Sequence, residues 1–402
     1  MKKKMFRLTA LLIAAACFCG CGYTMKSRYV SETAAVYSTD MLSENSGQMK
    51  GIYPALGRDI RIGVIYNGDP QTGNGYSYAH YEGIKKMQRQ LGLRDSQIIS
   101  RSSISESDDV AISEAFRELV NEHCNIIFAT SVGFSRICGI YAGEYPDIVF
   151  AVCSGTESNG SNFVNYFGRI YEARYLSGII AGMNTKTDRV GFVAAKGLKS
   201  AEVTSSVNAF AMGVYSVNKK CRVLVCCTES WNDPDTETAA AEQLIEADCD
   251  ILAQHCDSSA TQVAAARAGV MGIGYNSDMG SVAPHSVLTS VIWDWSVYYS
   301  AAVRRLMDGT WTGEDYYGGL GDGLVKITEP GSFCTQESIV REEQAEKDIL
   351  DGKLKMFYGK IRASNGDVIG KDGTSLDIDY IREKMNWYYK NVETLIMRRD
   401  NR

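Results

Sequence analysis

The sequence predicts an α/β protein built as two doubly wound, parallel-sheet lobes joined by a hinge. Three observations carry this reading. Short, nearly continuous apolar runs alternate with stretches whose apolar residues fall at helical spacing. The strand-and-helix rhythm restarts once, near residue 171. Polar, glycine-rich and aromatic residues collect in the loops that follow strands, where open α/β sheets hold their ligands.

In the first series, Ile60–Tyr66, Ile98–Arg101, Asn125–Thr130 and Ile148–Val152 read as strands. Tyr81, Ile84, Met87 and Leu91 mark one helix between them, and Ile112, Ala115, Phe116, Leu119 and Val120 another. Strands without polar alternation are buried on both faces, which implies a parallel sheet under helices on each side. The second series runs through strands at 190–194, 222–227, 251–254 and 270–275, with helices at 171–183, 201–216, 236–247 and 259–268. Phe163–Phe167 and Val287–Ile292 read as strands at which the chain crosses between lobes. Residues 336–351 and 375–397 read as helical, the latter carrying Trp387, Tyr388 and Tyr389.

These elements divide the chain into a leader (1–21), a polar tether (22–58), a first lobe (59–165, with 279–305 returning to it) and a second lobe (166–278, with 306–335 returning to it). Residues 336–402 form an extension packed on the lobes. A length of 402 residues suffices for two cores. The net charge of −6, with no basic stripe, argues against a nucleic-acid partner.

Lys2, Lys3, Lys4 and Arg7 precede an apolar run from Leu8 to Phe18, too short to span a bilayer. Phe18-Cys19-Gly20-Cys21 then places a small residue before Cys21, as in a bacterial lipoprotein signal, so Cys21 is the expected lipidated N-terminus and membrane anchor. Cys17 is the next candidate, and a plain cleaved leader is the other reading. Three of the twelve Cys lie in this leader. Several of the other nine sit in apolar strand runs as small hydrophobes, and no Cys/His spacing reads as a metal site.

Candidate ligand residues come from five loops. The first, Asn67–His80, carries Tyr76 and Tyr78 just before a helix, and lacks the Gly-Lys-Ser/Thr of a phosphate loop. Thr130-Ser131-Val132-Gly133 brings small residues, Ser131 and Gly133, to a helix N-terminus. Cys153-Ser154-Gly155 supplies Ser154. Trp231, in Glu229–Pro234, is an indole in a turn, suited to stacking. Asp257 follows Gln254-His255-Cys256, and Asn276 and Asp278 follow the next strand. Asp257 is read as an acceptor or as a helix N-cap. The four His show no nucleophile elbow or zinc helix, and Asn276-Ser277-Asp278 is too sparse for calcium, so neither catalysis nor a cofactor is expected.

At these loops the chain resembles the basic membrane lipoprotein family, purine-type solute-binding proteins of ABC transporters. The resemblance runs from about Arg61 to Leu395. It rests on Gly75–Gly83, Phe128–Phe134, Arg169–Gly178, Ser230–Pro234, Gln254–Ser258, Gly274–Met279, Met356–Ile361 and Met385–Tyr388. It implies a type I periplasmic-binding fold, a hinge that closes on ligand, and a purine base or nucleoside stacked on Tyr76 or Tyr78 and on Trp231. It also implies permease and ATPase subunits as partners. Asn276 stands where that family has Asp, and the absence of its nucleoside signature favours an adenine-like ligand. A lipoprotein sensor on the same scaffold is the alternative. A sugar-responsive repressor is not expected, because residues 1–58 show no helix-turn-helix.

Overall fold

The computed structural model describes residues 52, 57 and 59–398. The leader, Cys21 and nearly all of the tether lie outside the described residues. Two sheets form the frame, each flanked by helices.

The first sheet has six strands in the order β11-β5-β4-β3-β1-β2: β1 (Ile62–Ile65), β2 (Ile98–Arg101), β3 (Ile126–Ala129), β4 (Val149–Cys153), β5 (Phe163–Gly168) and β11 (Tyr316–Gly318). All its pairings are parallel. The second has seven, in the order β12-β10-β9-β8-β6-β7-β15. They are β6 (Arg189–Ala194), β7 (Arg222–Cys227), β8 (Ile251–His255), β9 (Met271–Asn276), β10 (Val287–Trp293), β12 (Val325–Ile327) and β15 (Val392–Leu395). β12 alone pairs antiparallel in it. A short hairpin, β13 (Ile361–Arg362) with β14 (Val368–Ile369), stands apart. Strands β1, β3, β4 and β8 are buried at every position, which is why their sequences are continuous apolar runs.

The helices are α1 (Tyr76–Leu91), α2 (Asp109–Asn121), α3 (Ser135–Glu144), α4 (Ile170–Asn184), α5 (Ala201–Val217), α6 (Pro234–Glu246), α7 (Ala260–Ala268), α8 (Ser296–Asp308) and α9 (Gln336–Leu350). Their ends follow local chemistry. Ser200 and Asp233 cap α5 and α6 with side-chain acceptors, and α6 starts on Pro234. Gly92 closes α1 in the left-handed region at φ 65°. Among the described residues no helix is long and apolar enough to cross a membrane.

Three segments join the lobes: β5 to α4, β10 to α8, and β11 to β12. The expected boundaries need correction here. Residues 287–293 do not return to the first lobe, because β10 pairs with β9 and the chain crosses only at Asp294–Trp295. Residues 316–318 do not belong to the second lobe, because β11 pairs with β5. The stretch 375–397 is not one helix. It holds a single π turn at Tyr380–Lys384 and then β15, parallel to β7. Between them the side-chain amide of Asn208 on α5 donates to Trp387 O (2.8 Å) and accepts from Tyr389 N (2.7 Å). These bonds hold the backbone extended where a helix would bond to itself.

At the hinge, Trp293 stacks on Trp295 (centroids 4.6 Å apart), and Trp295 stacks on His80 of α1 (4.4 Å). Arg169 binds the two other crossings together. Its Nε donates to Glu172 (2.7 Å) and its Nη1 to Tyr317 O (2.6 Å), while Glu172 accepts from Leu320 N (2.7 Å). Asp294 takes Lys86 at 2.6 Å and Lys326 at 3.0 Å. Burial opposes its charge, but the two ammonium groups win and hold its carboxyl at about 2.

Inside the second lobe, α4 and α5 pack backbone to backbone. A Cβ at Gly178 would stand 2.2 Å from Phe210 O, and one at Gly213 2.1 Å from Tyr175 O. Gly178→Ala is therefore expected to destabilise the protein by about 1–3 kcal/mol through overpacking. Gly143→Ala in α3, where a Cβ meets nothing within 4 Å, is expected to stabilise it by up to about 1 kcal/mol. Urea unfolding of the two variants checks both signs.

Candidate ligand-binding cleft

The carboxyl ends of the two sheets face each other across a cavity of about 830 Å³, a size suited to a small molecule. The lobes touch beside it. The Gly75 amide donates to Ser277 Oγ (3.2 Å), and a Cβ on Gly75 would lie 2.4 Å from Asp257 O. Gly75 has φ 87°, so glycine serves both the conformation and the close approach.

Of the residues expected from sequence, Tyr76, Ser131, Ser154, Trp231 and Asp257 line the cavity together. Tyr76 starts α1 and is half-buried; its hydroxyl donates to Thr130 O at 2.5 Å, and its ring meets His80 edge-on. Trp231 and Asp257 are tied through the backbone, Asp257 N donating to Trp231 O at 2.8 Å. Buried Gln254 braces the same turn, donating to Cys256 O (3.0 Å) and Ser258 O (2.6 Å).

The other four expected residues are not among those lining the cavity. Tyr78 is half-buried on α1, one residue past the wall. Gly133 donates to Ser131 Oγ (3.4 Å), and a Cβ there would meet Glu106 at 2.6 Å, so it makes room for that side chain. Asn276 is buried at φ 66° and donates to Asp257 Oδ1 (2.9 Å). An Asp at 276 would instead set two carboxylates against each other. Asp278 is exposed and accepts from Gly280 N at 2.8 Å as a cap.

Sequence reasoning passed over Glu106, Glu202, Phe167 and Tyr275, which also line the cavity. Glu106 lies in the loop after β2, a four-residue strand with no fully buried position and so a weak sequence signal. It accepts from Asn67 Nδ2 (2.8 Å) and Ser131 Oγ (2.5 Å). Glu202 sits in the first turn of α5, where an acid reads as a complement to the helix dipole.

Asp69, Glu106, Glu202 and Asp257 give the lining four carboxylates from both lobes, and no Lys, Arg or His lines it. Enclosure in the cleft pushes the Asp257 carboxyl up to about 8; the Asn276 amide opposes this, and the charges of Glu237, Glu202 and Glu106 add to it. Among the described residues no group of His, Cys, Asp or Glu could hold a metal ion, and the nine Cys are free thiols.

A family model described as ABC transporter substrate-binding protein, PnrA-like, matches residues 60–364. The chain belongs to this Bmp family. A putative ABC transporter glucose-binding protein of Haloferax volcanii is 33% identical to this Bmp protein over 341 residues, covering 85% of it and 82% of the relative. A purine-binding protein of Brucella abortus is 31% identical over 336 residues, covering 83% and 93%. Among solved structures, an ABC transporter solute-binding protein from Conexibacter woesei superposes with a TM-score of 0.61 at 17% identity, covering 74% of this chain and 98% of the other. A transcriptional activator of the comK gene from Bacillus halodurans gives 0.63 at 20%, covering 74% and 99%. At such identities the two structures speak for the fold alone, the type I periplasmic-binding arrangement. Within the Bmp family the expected role is substrate binding for an ABC transporter.

The Asp257 shift links pH to stability. Chiefly through burial, its carboxyl stands at about 8 in the folded protein against the ordinary 3.8, so folding takes up a proton. That contribution is fully present below the ordinary value and is lost as pH rises to about 8. The thermal midpoint of the ligand-free protein is therefore expected to fall between about pH 5 and about pH 9. Asp257→Asn is expected to show a smaller fall over the same range.

Proposed function

We propose that this protein captures a purine base or nucleoside, adenine-like by preference, and delivers it to an ABC permease and its ATPase. The observation that carries the reading is the character of the cleft. Trp231, Tyr76, Tyr275 and Phe167 offer flat apolar faces among four carboxylates and no cation. Such a lining suits an uncharged, planar, donor-bearing ligand and repels a phosphate. Near neutral pH, Asp257 as a carboxylic acid presents a donor and an acceptor side by side. That pair matches the amino group and adjacent ring nitrogen of adenine. The Brucella relative named as purine-binding supports the reading.

In this reading the protein is a receptor without turnover. Tyr76 of the first lobe and Trp231 of the second hold the base between them, Ser131 and Ser154 add hydroxyls at its edge, and the hinge closes over it. Gly133 makes room for Glu106 and Asn276 holds Asp257 from behind, Asp278 caps the turn after β9, and Tyr78 backs the first loop. A lipid on Cys21 would tether the molecule on the outer face of the cell membrane. Fatty-acid labelling is expected in the wild type and lost in Cys21→Ser; equal labelling of both would move the anchor elsewhere.

Calorimetry tests the ligand. Adenine is expected to bind, and AMP is expected to give no heat. Stacking a base on an aromatic ring contributes about 1–3 kcal/mol, so Trp231→Ala should weaken adenine binding about 5- to 150-fold. Asp257→Leu, which removes donor and acceptor together, should weaken adenine more than unsubstituted purine. Glucose bound as tightly as adenine would sink the purine reading in favour of the sugar that the Haloferax relative's name suggests.

A further inference from the structure

Beneath the second-lobe wall lies a run of buried polar groups that ligand capture by Asp257 and Trp231 does not use. Arg174 of α4 and His255, at the end of β8, are both fully buried. The Arg174 guanidinium lies over the Tyr275 ring, 4.3 Å from its centre; its Nη2 donates to Gln254 O (2.7 Å) and lies 3.4 Å from His255 Nδ1. A guanidinium has only donors, so His255 Nδ1 must be the accepting nitrogen and Nε2 must carry the hydrogen. Burial, the largest influence, keeps the ring neutral by lowering its pKa to about 4. The Nε2 hydrogen is shared between Glu202 Oε1 at 3.3 Å and the Tyr275 hydroxyl at 3.0 Å.

Glu202 is where this run reaches the cleft. Its side chain is 25% exposed and lines the cavity. One oxygen faces His255, and among the described residues the other has no hydrogen-bond donor assigned to it. Ser200 caps the helix that carries it, and the α5 N-terminus favours its charge.

We propose that Glu202 is a ligand-binding residue that accepts an N–H of the bound base, and that His255 and Arg174 position it from below by fixing which way hydrogen bonds run. This inference rests on the purine reading above. It gives a role to a cation buried behind a wall that itself carries no Lys, Arg or His. Arg174 sets the His255 tautomer, His255 holds one Glu202 oxygen, and the second oxygen is left for the ligand.

The fixed tautomer makes Glu202→Gln a sharp test. His255 can only donate toward residue 202, so the amide oxygen of the variant must face His255 and its NH₂ must face the cavity. A donor then stands where an acceptor stood. Adenine affinity by calorimetry is expected to fall about 10- to 100-fold, the range for a lost hydrogen bond to a charged group. The thermal midpoint should stay within a few degrees of wild type, since the site is partly exposed. In ¹⁵N-labelled wild type, the His255 imidazole should show the Nε2–H tautomer, and its Nε2 signal should move when adenine is added. Unchanged adenine affinity in Glu202→Gln would overturn the assignment, as would a His255 found with its hydrogen on Nδ1. A lowered midpoint with unchanged affinity would make Glu202 structural only. No adenine binding by the wild type would instead bring down the purine reading and this inference with it.

Discussion

Two parallel sheets in one chain can turn their carboxyl ends toward each other only if the segments between them are short and held in register. Here three crossings meet that constraint through stacked rings and paired charges. Trp293, Trp295 and His80 form a column from the crossing strand into α1. Arg169 and Glu172 lace the β5 crossing to the β11 crossing, and Asp294 draws in a lysine from each side. The Trp295–His80 stack, the bonds of Arg169 and Glu172 to the β11 crossing, and both lysine pairs of Asp294 join segments far apart in sequence. They confine the junction to a narrow waist, the geometry that hinged lobes use.

The cleft depends on that alignment, because neither lobe holds a complete site. The first lobe brings Tyr76, Glu106 and a set of hydroxyls; the second brings Trp231, Tyr275, Glu202 and Asp257. The two kinds of acid differ by their surroundings. Burial, with a smaller push from neighbouring carboxylates, keeps the proton on Asp257 near neutrality. Glu202 stands beside a ring nitrogen that donates to it, at a helix N-terminus. One wall thus offers side chains of the same chemistry in different hydrogen-bonding roles.

Much of this was legible in the sequence. The ten strands read from apolar runs all exist within about two residues, since burial on both faces leaves a plain signal. The loops after those strands gave five of the cavity residues. What escaped has physical reasons. β11 and β12 are three residues each, too short for any period to show. Trp387 and Tyr388 are buried as a helix face would be, but the partner that keeps them extended, Asn208, lies far back in the chain. Glu202 looked like a helix-start acid because it is one; only its distance to His255 reveals more. Asp278 follows a strand end as Asp257 does, yet the Gly280 amide two residues on engages its carboxylate.

The pairing of β15 with β7 also sets a schedule. Synthesis runs from the N-terminus, so β7 and its neighbours emerge long before residues 392–395 exist to cover that edge. Through that interval the second sheet presents a row of open N–H and C=O groups along Val223, Leu224 and Val225, all buried once the fold is complete. An uncovered apolar strand is a template for another chain. The interval before β15 pairs is thus one of exposure to misassembly, and residues 392–395 act as the stitch that closes this edge of the sheet.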